Sequence, residues 1–323
     1  MDIKAILIKC GVTRINNKDT LECLDDEIND FVNDIKPSDN IELYNCVHID
    51  NGVSAYIDNS DYIYNLIKKG ENIVDSGDNP LVKNFLINVL KNAKYGDNEG
   101  ITAIVQFDWL TQTAVKMNDS LELDEHNNII RQWPDDNDRI IILDGIIGTI
   151  LTKNQCSINF IKHRGIVFSN GIPFVLMDIG HGLILKYYLR KKDISPLKIK
   201  SIALQILNSL DIAYDMCGFV HGDLSNNLKN IIIDDTTVKD VITYRNGASV
   251  KTHGVFVTII DFGSSSINAF GEKYEFDFKS GKNKTECEDL ISLIADLFKF
   301  AMETYSTNYK QLLQQFIKFI SEK

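Results

Sequence analysis

Apolar positions recur along this chain in two rhythms, and the alternation between them lays out its elements. Asn79-Pro80 reads as a helix start, with Asn at the N-cap and Pro in the first turn. Leu81, Val82, Phe85, Leu86, Val89 and Leu90 follow at helical spacing, which predicts a helix that stops near Gly96. The pattern then changes to strands, and residues 101–109 and 113–117 predict a hairpin. Residues 123–138 are polar and hold Trp133-Pro134, which predicts a loop. Ile142, Ile146, Ile147 and Ile150 restore the helical period over 139–152, although two glycines interrupt it. Short apolar runs at 158–160, 165–168 and 173–177 predict further strands. Ser195-Pro196 opens the clearest helix, with Ile199, Ile202, Ala203, Ile206, Leu207, Leu210, Ala213 and Tyr214 on one face and Gly218 as its C-cap. Beyond it lie a strand at 231–233, a hairpin over 244–260 and an apolar strand at 255–260.

Residues 1–78 differ in texture, being rich in Asn and Asp with brief apolar bursts, and predict a separate small α/β extension joined by the helix of residues 79–94. The whole chain has 323 residues and a formal net charge of −11. That balance argues against nucleic acid as the main partner, because affinity for a phosphate backbone comes from clustered Lys and Arg. A basic protein substrate suits it better. The 6 cysteines show no paired C-x-x-C spacing, so neither a zinc site nor a disulfide framework is predicted. The first residues lack an apolar signal segment, and no run of about 18 apolar residues occurs. The expectation is a soluble, cytoplasmic protein with no membrane span.

Chemistry concentrates between Phe219 and Gly263. His221-Gly222-Asp223 follows the long helix, and Asp261-Phe262-Gly263 follows the apolar strand. Phosphoryl transfer needs a group that orients the attacking hydroxyl and oxygen ligands for the magnesium that bridges the phosphates. Asp223 fits the first need. Asp261, at a strand end where an unpaired buried carboxylate would be costly, fits the second. Lys116, at the end of the second hairpin strand and downstream of Gly96 and Gly100, offers a cation that could pair with phosphate. Ser264, Ser265 and Ser266 read either as phosphoacceptors or as a plain Ser-rich loop.

Lys116, the segment from Met177 to Gly182, His221-Gly222-Asp223 and Asp261-Phe262-Gly263 stand in the order found in protein kinases, and the chain resembles that superfamily over roughly residues 95–300. Within it the chain is most similar to the compact atypical kinases, namely the RIO type, whose loop also reads His-Gly-Asp-Leu-Ser, and the divergent kinases of large DNA viruses. The resemblance implies an α+β, bilobal protein-kinase-like fold over 95–323, with a β-rich N-lobe at about 95–178 and a mainly helical, reduced C-lobe at about 183–323. It implies ATP and magnesium as cofactors and a Ser/Thr protein substrate, possible autophosphorylation included. It also implies the host cytoplasm or the virion as location if the viral likeness holds. Gly96 and Gly100 would cover the phosphates, Asp178 and Gly180 would adjoin the adenine, and Asp223 would be the catalytic base. Asp144 is the nearest partner for Lys116, with Glu122 and Glu125 as rivals. Leu228 stands where the family has its metal-binding Asn, so a two-residue insertion that makes Asn230 the ligand is preferred, with Asn227 as the rival. Ser225 stands where Ser/Thr kinases carry Lys, and no proline follows Pro196, so the Ala-Pro-Glu of a full activation segment is missing. Asp289 resembles the buried Asp that anchors the catalytic loop. The alternative reading is a pseudokinase that binds nucleotide or a partner without transferring phosphate.

Overall fold

Strands that are apolar on both faces must be covered on both faces, and the central sheet here is built that way. The computed structural model describes residues 80–91, 103–108, 113–131, 138–169, 172–191, 194–269, 272–275, 286–304 and 306–322. The expected extension over 1–78, together with Gly96 and Gly100, lies outside them. Helix α1 (Pro80–Lys91) falls within the expected helix. Strands β1 (Ala103–Asp108) and β2 (Thr113–Asn118) form the expected hairpin. Strands β3 (Leu121–Leu123) and β4 (Ile129–Arg131) form a second one where a loop was predicted. Three-residue strands are too short to show a period, and the sequence signal was the turn: Asp124 Oδ1 accepts from the backbone N–H groups of His126 at 2.9 Å and Asn128 at 2.7 Å. Helix α2 (Asp138–Lys153) precedes β5 (His163–Ser169) and β6 (Ile172–Asp178), and the sheet order is β1-β2-β6-β5, antiparallel throughout.

Alternation along these strands sends side chains to two cores. Val115, Met117, Val167, Phe174 and Leu176 pack with Leu86 and Val89 of α1. Ala114, Ile166, Val175 and Met177 face the other way, into the main core shared with α2. The two glycines of α2 have a packing reason. A β-carbon at Gly145 would overlap Ile166, and one at Gly148 would overlap the imidazole of His163. Glycine lets the helix lie close to the sheet. Replacing Gly148 by alanine is expected to cost about 1–3 kcal/mol through overpacking, read as a lower denaturant midpoint. An unchanged midpoint would mean that the helix does not approach His163 so closely.

Residues 158–160 are not a strand. Ile161 N–H donates to Ile259 O and Ile259 N–H to Asn159 O, a single parallel bridge. Asn159 serves as a polar hub instead. Its buried amide donates to Gln205 and to Val257 O, and its oxygen accepts from Tyr244 and Ser209. A buried amide with every valence used fixes one arrangement of its neighbours.

The chain then runs through β7 (Leu183–Ile184) and the single turn α3 (Leu185–Tyr188) to α4 (Pro196–Cys217). The caps of α4 are as expected: Ser195 Oγ accepts from Lys198 N–H, and Gly218 is left-handed at φ 57°. Strand β8 (Ile231–Asp234) pairs with β7 and with β11 (Phe256–Ile259). Between them β9 (Val241–Thr243) and β10 (Ser249–Lys251) make a hairpin, and β12 (Ser266–Ala269) and β13 (Glu272–Glu275) make another. Helices α5 (Glu286–Thr304) and α6 (Thr307–Glu322) complete the described residues, and α6 packs on both α5 and α4. The fold is thus α+β with antiparallel sheets. Among the described residues no helix is long and apolar enough to cross a membrane.

Candidate active site

A lysine in the middle of a buried strand has to be paired. Lys116 lies between Val105 of β1 and Val175 of β6, with its side chain only 7% exposed. Its ammonium donates to Asp144 Oδ2 and, at 2.6 Å, to Asp261 Oδ1. Burial alone would push its pKa down, but the two carboxylates outweigh that and hold it well above the usual lysine range. Asp144, on α2, is fully buried. Its Oδ1 takes His163 Nε2 at 3.2 Å and the Phe262 N–H at 3.1 Å. Burial would raise this carboxyl, yet Lys116 and His163 keep it far below the usual carboxylate range. The pairing is therefore with Asp144. Glu122 and Glu125 belong to the β3–β4 hairpin, and Glu125 faces His126 at 3.5 Å.

Asp261 follows β11 by one residue and is left-handed at φ 68°, which turns the chain away from the strand. Phe262 then enters the core, where its ring meets Phe160, Phe219, His163 and His221 at centroid distances of 5.3 to 5.9 Å. A β-carbon at Gly263 would meet Ile140 at 2.5 Å, so this glycine is needed for packing.

The loop from His221 to Asn230 is held from below by α5. Asp289 accepts from the N–H groups of His221 at 2.6 Å and Gly222 at 2.8 Å. His221 Nε2 in turn donates to Ile260 O at 2.9 Å, which ties this loop to the strand that delivers Asp261. Two helical turns after Asp289, Asp296 accepts from Ser225 Oγ and from Asn227 N–H. Asn226, Asn227 and Leu228 all have positive φ, at 32°, 55° and 61°. A left-handed turn at three non-glycine residues is strained, and Asp296 braces it. Asn230 emerges buried beside Asp223, with its Nδ2 donating to Asp223 O at 2.7 Å, whereas Asn227 stands on the surface. Burial raises the Asp223 carboxyl, with Asp261 and Asp289 adding to the shift against His221 and Asn230.

Asp178 ends β6, and Gly180 lies two residues beyond it. Asp178 accepts from Arg164 Nε at 2.8 Å, and a β-carbon at Gly180 would meet Ile232 at 2.7 Å. His181 is exposed. Val105 and Phe107 expose 41% and 49% of their surface beside Lys116 and Ala114, their direct partners across the β1–β2 ladder. They form an apolar surface next to a cation. Ser265 and Ser266 are buried: Ser265 Oγ donates to His221 O at 2.8 Å, and Ser266 pairs with Val220.

Among the described residues no group of 3 or more His, Cys, Asp or Glu is placed to hold a metal. The donor set here is a carboxylate and an amide. Lys116 occupies Asp261 Oδ1 and leaves Oδ2, while Asn230 donates through Nδ2 and leaves Oδ1. Two hard oxygens, completed by water and phosphate, are what magnesium takes. His163 and Asp296 carried no signal in the sequence, since a histidine in an apolar strand and an acid on an amphipathic helix have ordinary structural uses. No known family model matches the chain, and no curated protein does.

Proposed function

We propose that the chain is a bilobal, protein-kinase-like enzyme that transfers the γ-phosphoryl group of ATP to a Ser or Thr hydroxyl of a protein, with magnesium. The observation that carries this reading is the convergence of Lys116, Asp144 and Asp261 beside a loop that presents Asp223 and Asn230. Lys116 would hold the α- and β-phosphates, and Asp178 and Gly180 would offer backbone to the adenine under the apolar surface of Val105 and Phe107. Magnesium bound by Asp261 and Asn230 would supply neutralising charge on the phosphate oxygens. Asp223 accepts a hydrogen bond from the acceptor hydroxyl and takes its proton as the new O–P bond forms and the bond to the β-phosphate breaks. Catalysis is then mainly positioning and charge stabilisation. The net charge of −11 favours a basic protein substrate.

One contact favours a second reading. Lys116 already holds Asp261, the carboxylate needed for the metal, and a pseudokinase could keep that pair for stability alone. Incubation of the full chain with γ-labelled ATP and magnesium, beside Asp261→Asn, separates the two. Label on the protein or on a basic substrate that disappears in the variant is expected. Nucleotide binding without any label would overturn transfer and leave the scaffold.

A further inference from the structure

Lys116 is shared between two carboxylates, so the buried Asp144 needs further hydrogen-bond donors. We propose that His163 is such a donor, a positioning residue that completes a Lys116–Asp144–His163 triad and fixes the direction in which the Asp144 carboxylate faces. The ring is wholly buried, and each nitrogen faces an oxygen: Nδ1 lies 3.2 Å from Ile161 O, and Nε2 lies 3.2 Å from Asp144 Oδ1. An ionised carboxylate can only accept, so Nε2 carries a proton and donates to Asp144. His221 lies across the Phe262 ring, with its Nε2 engaged with Ile260 O.

The surroundings leave the ring one position. The Phe262 ring lies 5.3 Å away and tilted, Gly148 makes room where any other residue would intrude, and the His163 N–H donates to Thr152 Oγ1. Asp144 has a short side chain and cannot chase Lys116 if it turns. With His163 and the Phe262 N–H both on Oδ1, Oδ2 is left pointing at the ammonium. For its catalytic consequence this inference rests on the reading above. Its structural content does not.

The test measures acylation of Lys116 by an amine-reactive ester, mapped by peptide mass spectrometry on the full chain without nucleotide, with phosphotransfer assayed in parallel. His163→Phe keeps a ring but no donor, whereas His163→Gln keeps a donor. Lys116 in His163→Phe is expected to react about tenfold faster than in the unaltered protein, as follows from losing one hydrogen bond to a charged group, and His163→Gln to recover most of the difference. Equal acylation in all three proteins, or equal acceleration in both variants, would overturn the triad. The ¹⁵N resonances of the His163 ring in the unaltered protein need no variant: a protonated Nε2 is expected, and a bare Nε2 would overturn the proposal. Absence of transfer by the unaltered protein would remove the kinase reading and leave the triad to these two results.

Discussion

Lys116→Met is expected to lower the unfolding free energy by about 3 kcal/mol or more, because it leaves the Asp144 carboxylate buried without its ammonium. Asp261 suffers less, since its side chain is 41% exposed and water can replace the lysine. The companion variant Lys116→Met/Asp144→Asn should lose much less than the sum of the single changes, as befits two groups in contact. Additive losses, measured by denaturant titration, would show that the pair is not coupled. The pH window has a definite sign. Asp144 is depressed in the fold, so its contribution is complete above the ordinary carboxyl value of 3.8 and is lost as pH falls through the folded value. Lys116 is raised, so its contribution is complete below the ordinary 10.5 and is lost as pH climbs through the folded value. In Lys116→Met the Asp144 carboxyl rises, and acid unfolding should begin at a higher pH than in the unaltered protein.

Asp223→Asn is expected to reduce phosphotransfer on the order of 10²-fold or more while leaving the fold and nucleotide binding in place. The loop does not depend on this carboxylate for its shape. Asp289 holds its first half, Asp296 braces the turn, and Asn230 bonds chiefly to the Asp223 backbone. Only the ionised Asp223 can accept the hydroxyl proton, and burial raises its pKa. The acid limb of kcat/KM should therefore lie above the 3.8 of an ordinary aspartate, and activity should be lost as pH falls through that raised value. A variant that keeps full transfer would strip Asp223 of the role proposed for it.

Those elements were legible whose causes are local. Helix α4 announces itself by Ser195, Pro196 and Gly218, each acting within its own turn, and α2 follows from its isoleucines. Lys116, Asp223 and Asp261 could be picked out because their spacing in the chain is itself a signature. Asp144 and Asn230 were the preferred residues, but the contact of Asp144 with Lys116 and the burial of Asn230 beside Asp223 depend on where a helix or a turn delivers the side chain. Asp296 and His163 act across long stretches of chain, on partners that no period or motif connects to them. The β3–β4 hairpin was hidden for the opposite reason, being too brief for its alternation to register.

Gly145 and Gly148 bring α2 so close to the sheet that the helix has little room to idle. Swinging it outward would separate the Lys116–Asp144 pair at a cost of about 3–5 kcal/mol, which leaves roughly one molecule in 10² to 10⁴ in the opened form. Under the proposed phosphotransfer, a site assembled at rest in this way needs no helix movement to become complete. The output of such a protein would be set by how much of it is made and by the moment its substrate arrives.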